Sequence, residues 1–343
     1  MKNYKVCVVG AGIWGRNHIR TLDNLKSLGG VVEEDKLVIE KLKIDYPDCI
    51  FFDNLDDALN HGFDGFTIAT PPVFHFHDAK KIIDSGFHVL VEKPFTVNKQ
   101  DALELCDLAK QNGINLMVGH LLLFHPAFTK IKQIMDNGDL GKLQYIYSNR
   151  LNLGTIRSDE NVFWSFAPHD ISLFQYFFQN NPTEVVSRGI DILQPGIHDS
   201  TITSLKYPNN TMGHIFVSWL HPFKEHRFVI VGSEGMIHFE DSLSNKPLLY
   251  YDKSVMFEGD NPITDIGPTK QIDYNLDLPL TLEMRYFINH LNGDKIEIEI
   301  ENLNRLTVYV NDDLKREWPK GIDQATADRA AGRTTTGGFG ERS

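Results

Sequence analysis

Short apolar runs alternate with amphipathic stretches through the first third of the chain. Val6, Val8 and Val9 read as a strand that is apolar on both faces, as buried parallel strands are. Further strand patterns cover 28–32, 50–52, 65–69, 88–91 and 114–118. Helical patterns lie between them. One follows Asn54, which suits an N-cap, and carries Leu55, Ala58 and Leu59. A second covers 79–83 and stops at Gly86; a third covers 101–111 and stops at Gly113. Repeated βα units of this length predict a doubly wound parallel sheet, the Rossmann arrangement, whose ligands bind beyond the C-terminal strand ends.

After Gly119 the period changes. One helix is predicted over 127–135, then strands over 143–153, 184–193, 200–207, 212–220, 227–231 and 236–240. Pro208-Asn209-Asn210 and Gly232-Ser233-Glu234-Gly235 are turn sequences between them. Consecutive strands with short turns predict an antiparallel sheet and an α+β domain. The expected organisation is a dinucleotide-binding domain over 1–120, a substrate and oligomerisation domain over 121–322, and a disordered tail over 323–343. That tail has no apolar periodicity and is rich in Gly and Thr.

Composition narrows the function classes. The 343 residues carry 34 basic and 46 acidic side chains, a net charge of −12. That balance argues against nucleic acid as a partner. No apolar run is long enough to span a bilayer, and the first strand starts too near Met1 for a signal peptide. Cys7, Cys49 and Cys106 form no CxxC pair and no metal spacing. The expectation is a reduced, cytoplasmic protein with no metal.

Gly10-x-Gly12-x-x-Gly15 follows the first strand and opens a helix. Gly10 permits a tight turn, Gly12 lets a pyrophosphate approach the backbone, and Gly15 lets helix and strand close together. Ile13 and Trp14, between the last two glycines, join them as cofactor contacts. The second strand ends at Glu33, in the window for a carboxylate that accepts from the adenosine ribose. Glu34 and Asp35 beside it would repel a 2′-phosphate, so NAD is expected rather than NADP.

Three more segments stand at predicted strand ends. In Ala69-Thr70-Pro71-Pro72 the prolines stiffen a loop where Thr70 and Pro71 should meet the cofactor. His75 either faces the cofactor or packs the next helix, and its neighbour His77 lacks a third ligand for a metal pair. In Glu92-Lys93-Pro94 the lysine points into the crevice, where an ammonium favours a developing alkoxide, and Glu92 orients it; both are also expected to contact the cofactor. His169 is read as opening an apolar helix over 171–178, with Asp170 as its capping acid; an imidazole suits acceptance of a hydroxyl proton near neutral pH.

Taken together, Gly10-x-Gly12-x-x-Gly15, Ala69-Thr70-Pro71-Pro72, Glu92-Lys93-Pro94 and Pro168-His169-Asp170 resemble the glucose-fructose oxidoreductase / inositol dehydrogenase (Gfo/Idh/MocA) family. The resemblance implies a Rossmann domain followed by an open-faced α+β sheet domain used for association into homodimers or homotetramers. It implies a pyranose or cyclitol hydroxyl as hydride donor, with Lys93 and His169 matching the catalytic Lys and His. The segments 118–127, Asn152-Leu153-Gly154-x-x-Arg157 and 164–170 look like the sugar-nucleotide 3-dehydrogenases, which act on UDP-N-acetylglucosamine or its uronic acid. By that match His120, Asn152, Arg157, His169 and Lys224 are substrate contacts, Arg157 suiting a phosphate or carboxylate. Many family members carry Asp four residues before the His, where this chain has Ser165. Two other functions stay open: a dehydrogenase of a free sugar or cyclitol, and a non-catalytic NAD-dependent regulator.

Overall fold

The computed structural model describes residues 4–158 and 160–296. The expected tail, the end of the second expected domain and the region around Met1 lie outside the described residues.

The first sheet is built from β1 (Val6–Val9), β2 (Leu28–Val32), β3 (Ile50–Phe52), β4 (Gly65–Ile68), β5 (His88–Glu92) and β6 (Leu116–Gly119). All neighbours are parallel, in the order β3-β2-β1-β4-β5-β6. The strand order reverses between β1 and β4, which opens a crevice at their C-terminal ends. The crossovers are α1 (Ile13–Asn24), α2 (Lys36–Asp45), α3 (Leu55–Leu59), α4 (Pro72–Asp84) and α5 (Lys99–Asn112). Local chemistry sets their ends. Asp35, Asn54 and Asn98 accept from Leu37, Asp57 and Asp101 N–H groups, and Gly113 closes α5 in the left-handed region at φ 66°.

The second unit holds α6 (Pro126–Asp136), β7 (Leu143–Leu153), α7 (Val162–Phe178), β8 (Glu184–Ile190), β9 (Ser200–Tyr207), β10 (Thr211–Ser218), β11 (Leu220–Gly232), β12 (Met236–Glu240), β13 (Leu248–Glu258), β14 (Asn261–Gln271) and α8 (Pro279–Asn289). The sheet order is β14-β13-β12-β11-β7-β10-β9-β8. The chain leaves β7 through α7 and returns, so β10 lies parallel to β7, whereas the other neighbours are antiparallel. The hairpin turns predict only the antiparallel pairs. Helix α7 covers one face: Phe174, Phe177 and Phe178 pack with Tyr207, Ile215 and Phe228. A Cβ at Gly213 would stand 2.7 Å from the Phe174 ring, so β10 admits only glycine beneath the helix. The opposite face is open and exposes Tyr145, Ile202 and Met212.

Strands β13 and β14 and the early start of β11 have no counterpart in the sequence reading, and two further differences bear on how the units are built. The helix expected to open at His169 begins at Val162, and Pro168 lies inside it. The reason is Asn161, whose Oδ1 accepts from Trp164 N–H at 3.0 Å and starts the helix before the proline. Second, α8 does not stay with the later strands. Its Met284 and Phe287, with Leu291 beyond it, join Val6, Ile19, Leu22 and Leu90 in the first unit's core.

Candidate active site

The crevice begins at the turn after β1. Gly10 has φ +90°, and a Cβ there would meet Thr70 N at 3.0 Å. A Cβ on Gly15 would stand 2.0 Å from Gly10 O, so α1 seats directly on the turn. Gly12 is the N-cap of α1, no side chain caps it, and nothing lies within 4 Å of its Cβ position. The first amides of α1 therefore face open space with the positive end of the helix behind them. Ile13 is 92% exposed at that end. Glu33 closes the far side, its Oε2 accepting from Ala11 N–H at 2.8 Å and its Oε1 from Asp35 N–H at 3.0 Å. Uncapped amides, a bare glycine surface and a carboxylate beside them fit a dinucleotide.

Across the switch point, the carboxylate of buried Glu92 gathers several groups. Its Oε1 accepts from Trp14 Nε1 at 2.5 Å and lies 2.9 Å from His18 Nε2, while its Oε2 accepts from Lys93 N–H at 3.1 Å. Burial alone pushes Glu92 up, but the contacts of His18 and Trp14 and the charge of Lys93 outweigh it and hold the carboxyl below its ordinary range. Trp14 is thus tied to the acid by its indole N–H while the residue stays exposed. His75 is buried, with Nδ1 2.9 Å from Pro94 O and Nε2 2.8 Å from Thr70 O. These contacts tie the loop after β4 to the loop after β5.

The second unit enters through α7. Lys93 Nζ donates to Ser165 O at 3.2 Å, one turn ahead of His169 on the same face of the helix. Burial pushes the Lys93 ammonium down; Glu160 is the strongest charge opposing that, ahead of Glu92. His169 Nδ1 is buried without a hydrogen-bond partner. Burial, then the charges of Lys93 and Arg150, drive its imidazole well below the ordinary histidine value. His120, just after β6, is buried with neither ring nitrogen partnered and is pushed down to about 4, mainly by burial. Lys93, Arg150, His120 and His169 therefore form one electropositive group whose imidazoles are neutral at pH 7.

Asp170 corrects the capping expectation. It sits well inside α7 and takes Arg150 of β7 in a bidentate pair, Nε to Oδ2 at 2.9 Å and Nη2 to Oδ1 at 3.0 Å. The misreading follows from the misplaced helix start. The remaining expected substrate residues lie at the rim. Arg157 has a half-exposed side chain, and its Nε stands 3.0 Å from Glu160 Oε1. Asn152 packs over Gly154 at the end of β7. Lys224 is exposed on β11, and its charge helps to lower His226. Arg150, Glu160 and His18 escaped sequence reading. Arg150 alone had a signal, since it falls in phase with buried Ile146 and Ser148 on β7. Among the described residues no cluster of His, Cys, Asp and Glu is placed to hold a metal. Among them no helix is long and apolar enough to cross a membrane.

The chain is 29% identical over 191 residues to the UDP-N-acetylglucosamine 3-dehydrogenase of Acidithiobacillus ferrooxidans, covering 55% of this chain and 59% of that protein. It is 25% identical over 187 residues to the scyllo-inositol 2-dehydrogenase (NAD(+)) of Bacillus subtilis, covering 51% and 55%. The matched stretches thus span a little over half of these relatives. Among solved structures, the Acidithiobacillus ferrooxidans enzyme superposes with a TM-score of 0.80 at 22% identity, over 93% of this chain and 98% of that one. A protein of gentamicin A biosynthesis in complex with NAD superposes with a TM-score of 0.75 at 18% identity, over 92% and 94%. Residues 4–120 match the oxidoreductase family with an NAD-binding Rossmann fold, and residues 128–238 match the GFO/IDH/MocA C-terminal domain. The chain belongs to the Gfo/Idh/MocA family of NAD-binding oxidoreductases.

Proposed function

We propose that this chain is an NAD-dependent dehydrogenase that oxidises the 3-hydroxyl of a nucleotide-activated sugar of the UDP-N-acetylglucosamine type. The observation that carries the reading is the contact between Lys93 Nζ and Ser165 O, which brings the lysine of the first unit to the helix face that bears His169. When bound, NAD accepts the hydride that leaves the carbinol carbon. His169, neutral because of its burial, accepts the hydroxyl proton. Lys93 donates to the same oxygen and favours its developing negative charge, with Arg150 adding to the field. Gly12 and the first amides of α1 hold the pyrophosphate, with Ile13 beside them; Thr70 and Pro71 line the nicotinamide side, and Glu33 takes the ribose. Arg157, with Asn152 and Lys224 at the rim, meets the nucleotide diphosphate. The exposed residues Tyr145, Ile202 and Met212 support association of copies through the open sheet face.

A second reading, a free sugar or cyclitol as substrate, is favoured by one observation: the Arg157 guanidinium already has a carboxylate partner in Glu160. Incubation with NAD and UDP-N-acetylglucosamine, N-acetylglucosamine or scyllo-inositol, with trapping of the keto product, separates the two. Oxidation of the UDP-sugar alone supports the first reading, and oxidation of only the uncharged compounds replaces it with the second.

A further inference from the structure

The loop between β7 and α7 carries a carboxylate that no proton-transfer role yet uses. Glu160 Oε1 accepts from Ser165 Oγ at 2.5 Å and lies 3.0 Å from Arg157 Nε. The other end of Ser165, its carbonyl, accepts from Lys93 Nζ at 3.2 Å. One serine therefore links the lysine to an acid on a neighbouring loop, and that acid is linked to a rim arginine. Ser165 has no charge of its own, so the negative field at this corner of the site comes from Glu160 and, from the β5 side, Glu92.

We propose that Glu160 is a positioning residue that holds the Lys93 ammonium in place and charged through Ser165, and that Arg157 divides Glu160 between this task and the rim. This rests on the reading of Lys93 as the alkoxide-stabilising group. The charged and titratable groups around Lys93 are Glu92 on β5, Glu160 and Arg157 on the loop, Arg150 on β7, and His120 and His169. Glu160 and Glu92 favour the ammonium; Arg157 and Arg150 oppose it. An anionic group of the substrate that draws Arg157 away would leave Glu160 wholly to Ser165 and strengthen its hold on Lys93. Arrival of the anion would then be linked to the readiness of the proton chemistry.

The test reads Lys93 directly in the full chain without added ligand. Competitive labelling with acetic anhydride across pH, followed by peptide mass spectrometry, gives the ionisation midpoint of that one lysine. Glu160→Gln is expected to lower the midpoint by about 1 unit, as loss of a nearby opposite charge does. Glu160→Asp is expected to return most of it, and Arg157→Ala to raise it. In turnover, Glu160→Gln is expected to lower kcat about tenfold, with smaller change in KM. An unchanged midpoint in both Glu160→Gln and Arg157→Ala overturns the proposal. So does equal loss of turnover in Glu160→Gln and Glu160→Asp, which marks a structural role. If Glu160→Gln does not fold, Arg157→Ala decides alone by the direction of its shift. A Lys93→Ala chain with full turnover defeats the underlying reading instead, whatever the midpoints show.

Discussion

Asp170 and Arg150 meet through two parallel hydrogen bonds that fasten the middle of α7 to β7, one residue from His169. Both side chains are largely buried, Asp170 almost wholly. Burial pushes the Arg150 guanidinium down, yet the carboxylate outweighs that and holds it above its usual value. The pair therefore keeps a positive charge beside the imidazole while fixing the helix that carries it. Asp170→Ala leaves the guanidinium buried and unpaired. The expected loss is about 3–5 kcal/mol in urea unfolding. Arg150→Met with Asp170→Leu is expected to lose much less, because no charge is left stranded.

Lys93→Ala and His169→Ala are each expected to lower kcat by about 10²–10⁴, the range for loss of a placed proton-transfer group. Both should still bind NAD, because neither side chain belongs to the turn around Gly10 and Gly12. Calorimetric titration of NAD beside turnover checks this. Full turnover by the Lys93 variant would remove the lysine from the chemistry, whereas a native chain with no turnover, whose biological activity survives Lys93→Ala, would favour the regulator reading.

Gly12 and Gly15 make opposite predictions although they belong to one motif. A Cβ on Gly15 has no room against Gly10 O at 2.0 Å, so Gly15→Ala should unseat α1 and lower the Tm. A Cβ on Gly12 meets nothing within 4 Å. Gly12→Ala should keep the Tm and weaken NAD binding, since its methyl enters the space that the pyrophosphate uses. A Gly12→Ala chain with native NAD affinity would place the pyrophosphate elsewhere.

What was legible in the sequence follows from how local each signal is. The β1 turn, the Asn54 cap and the Gly113 stop depend on residues a few positions apart, and β7, β9 and β12 begin and end where their alternation does. Long-range features were not legible. The parallel pairing of β7 with β10 depends on α7 crossing between them, and no turn sequence records it. The return of α8 to the first core depends on Met284 and Phe287 meeting Ile19 and Leu22. At the site, Lys93 and His169 stand in readable motifs. Glu160 gains its place only through Ser165 and Arg157, and Asp170 was misread because a proline usually starts a helix rather than sitting inside one.

The buried imidazoles set the pH response. His120 is 4% exposed and pushed down to about 4, against about 6.5 when unfolded. A folded-state value below the unfolded one means that the unfolded chain binds the proton first. The stabilising contribution is therefore complete above pH 6.5 and is lost as the pH falls toward 4. The expected loss across that window is about 3 kcal/mol for His120. Unfolding in urea from pH 7 to pH 4 should show it, and His120→Gln should flatten the slope. His169 is lowered in the same direction, so it stays neutral and able to accept a proton below the ordinary histidine range. The acid limb of kcat/KM should accordingly lie below about pH 6.5. A limb centred at or above that value would mean that the imbalance of positive charge around His169 does not act on the residue that takes the proton.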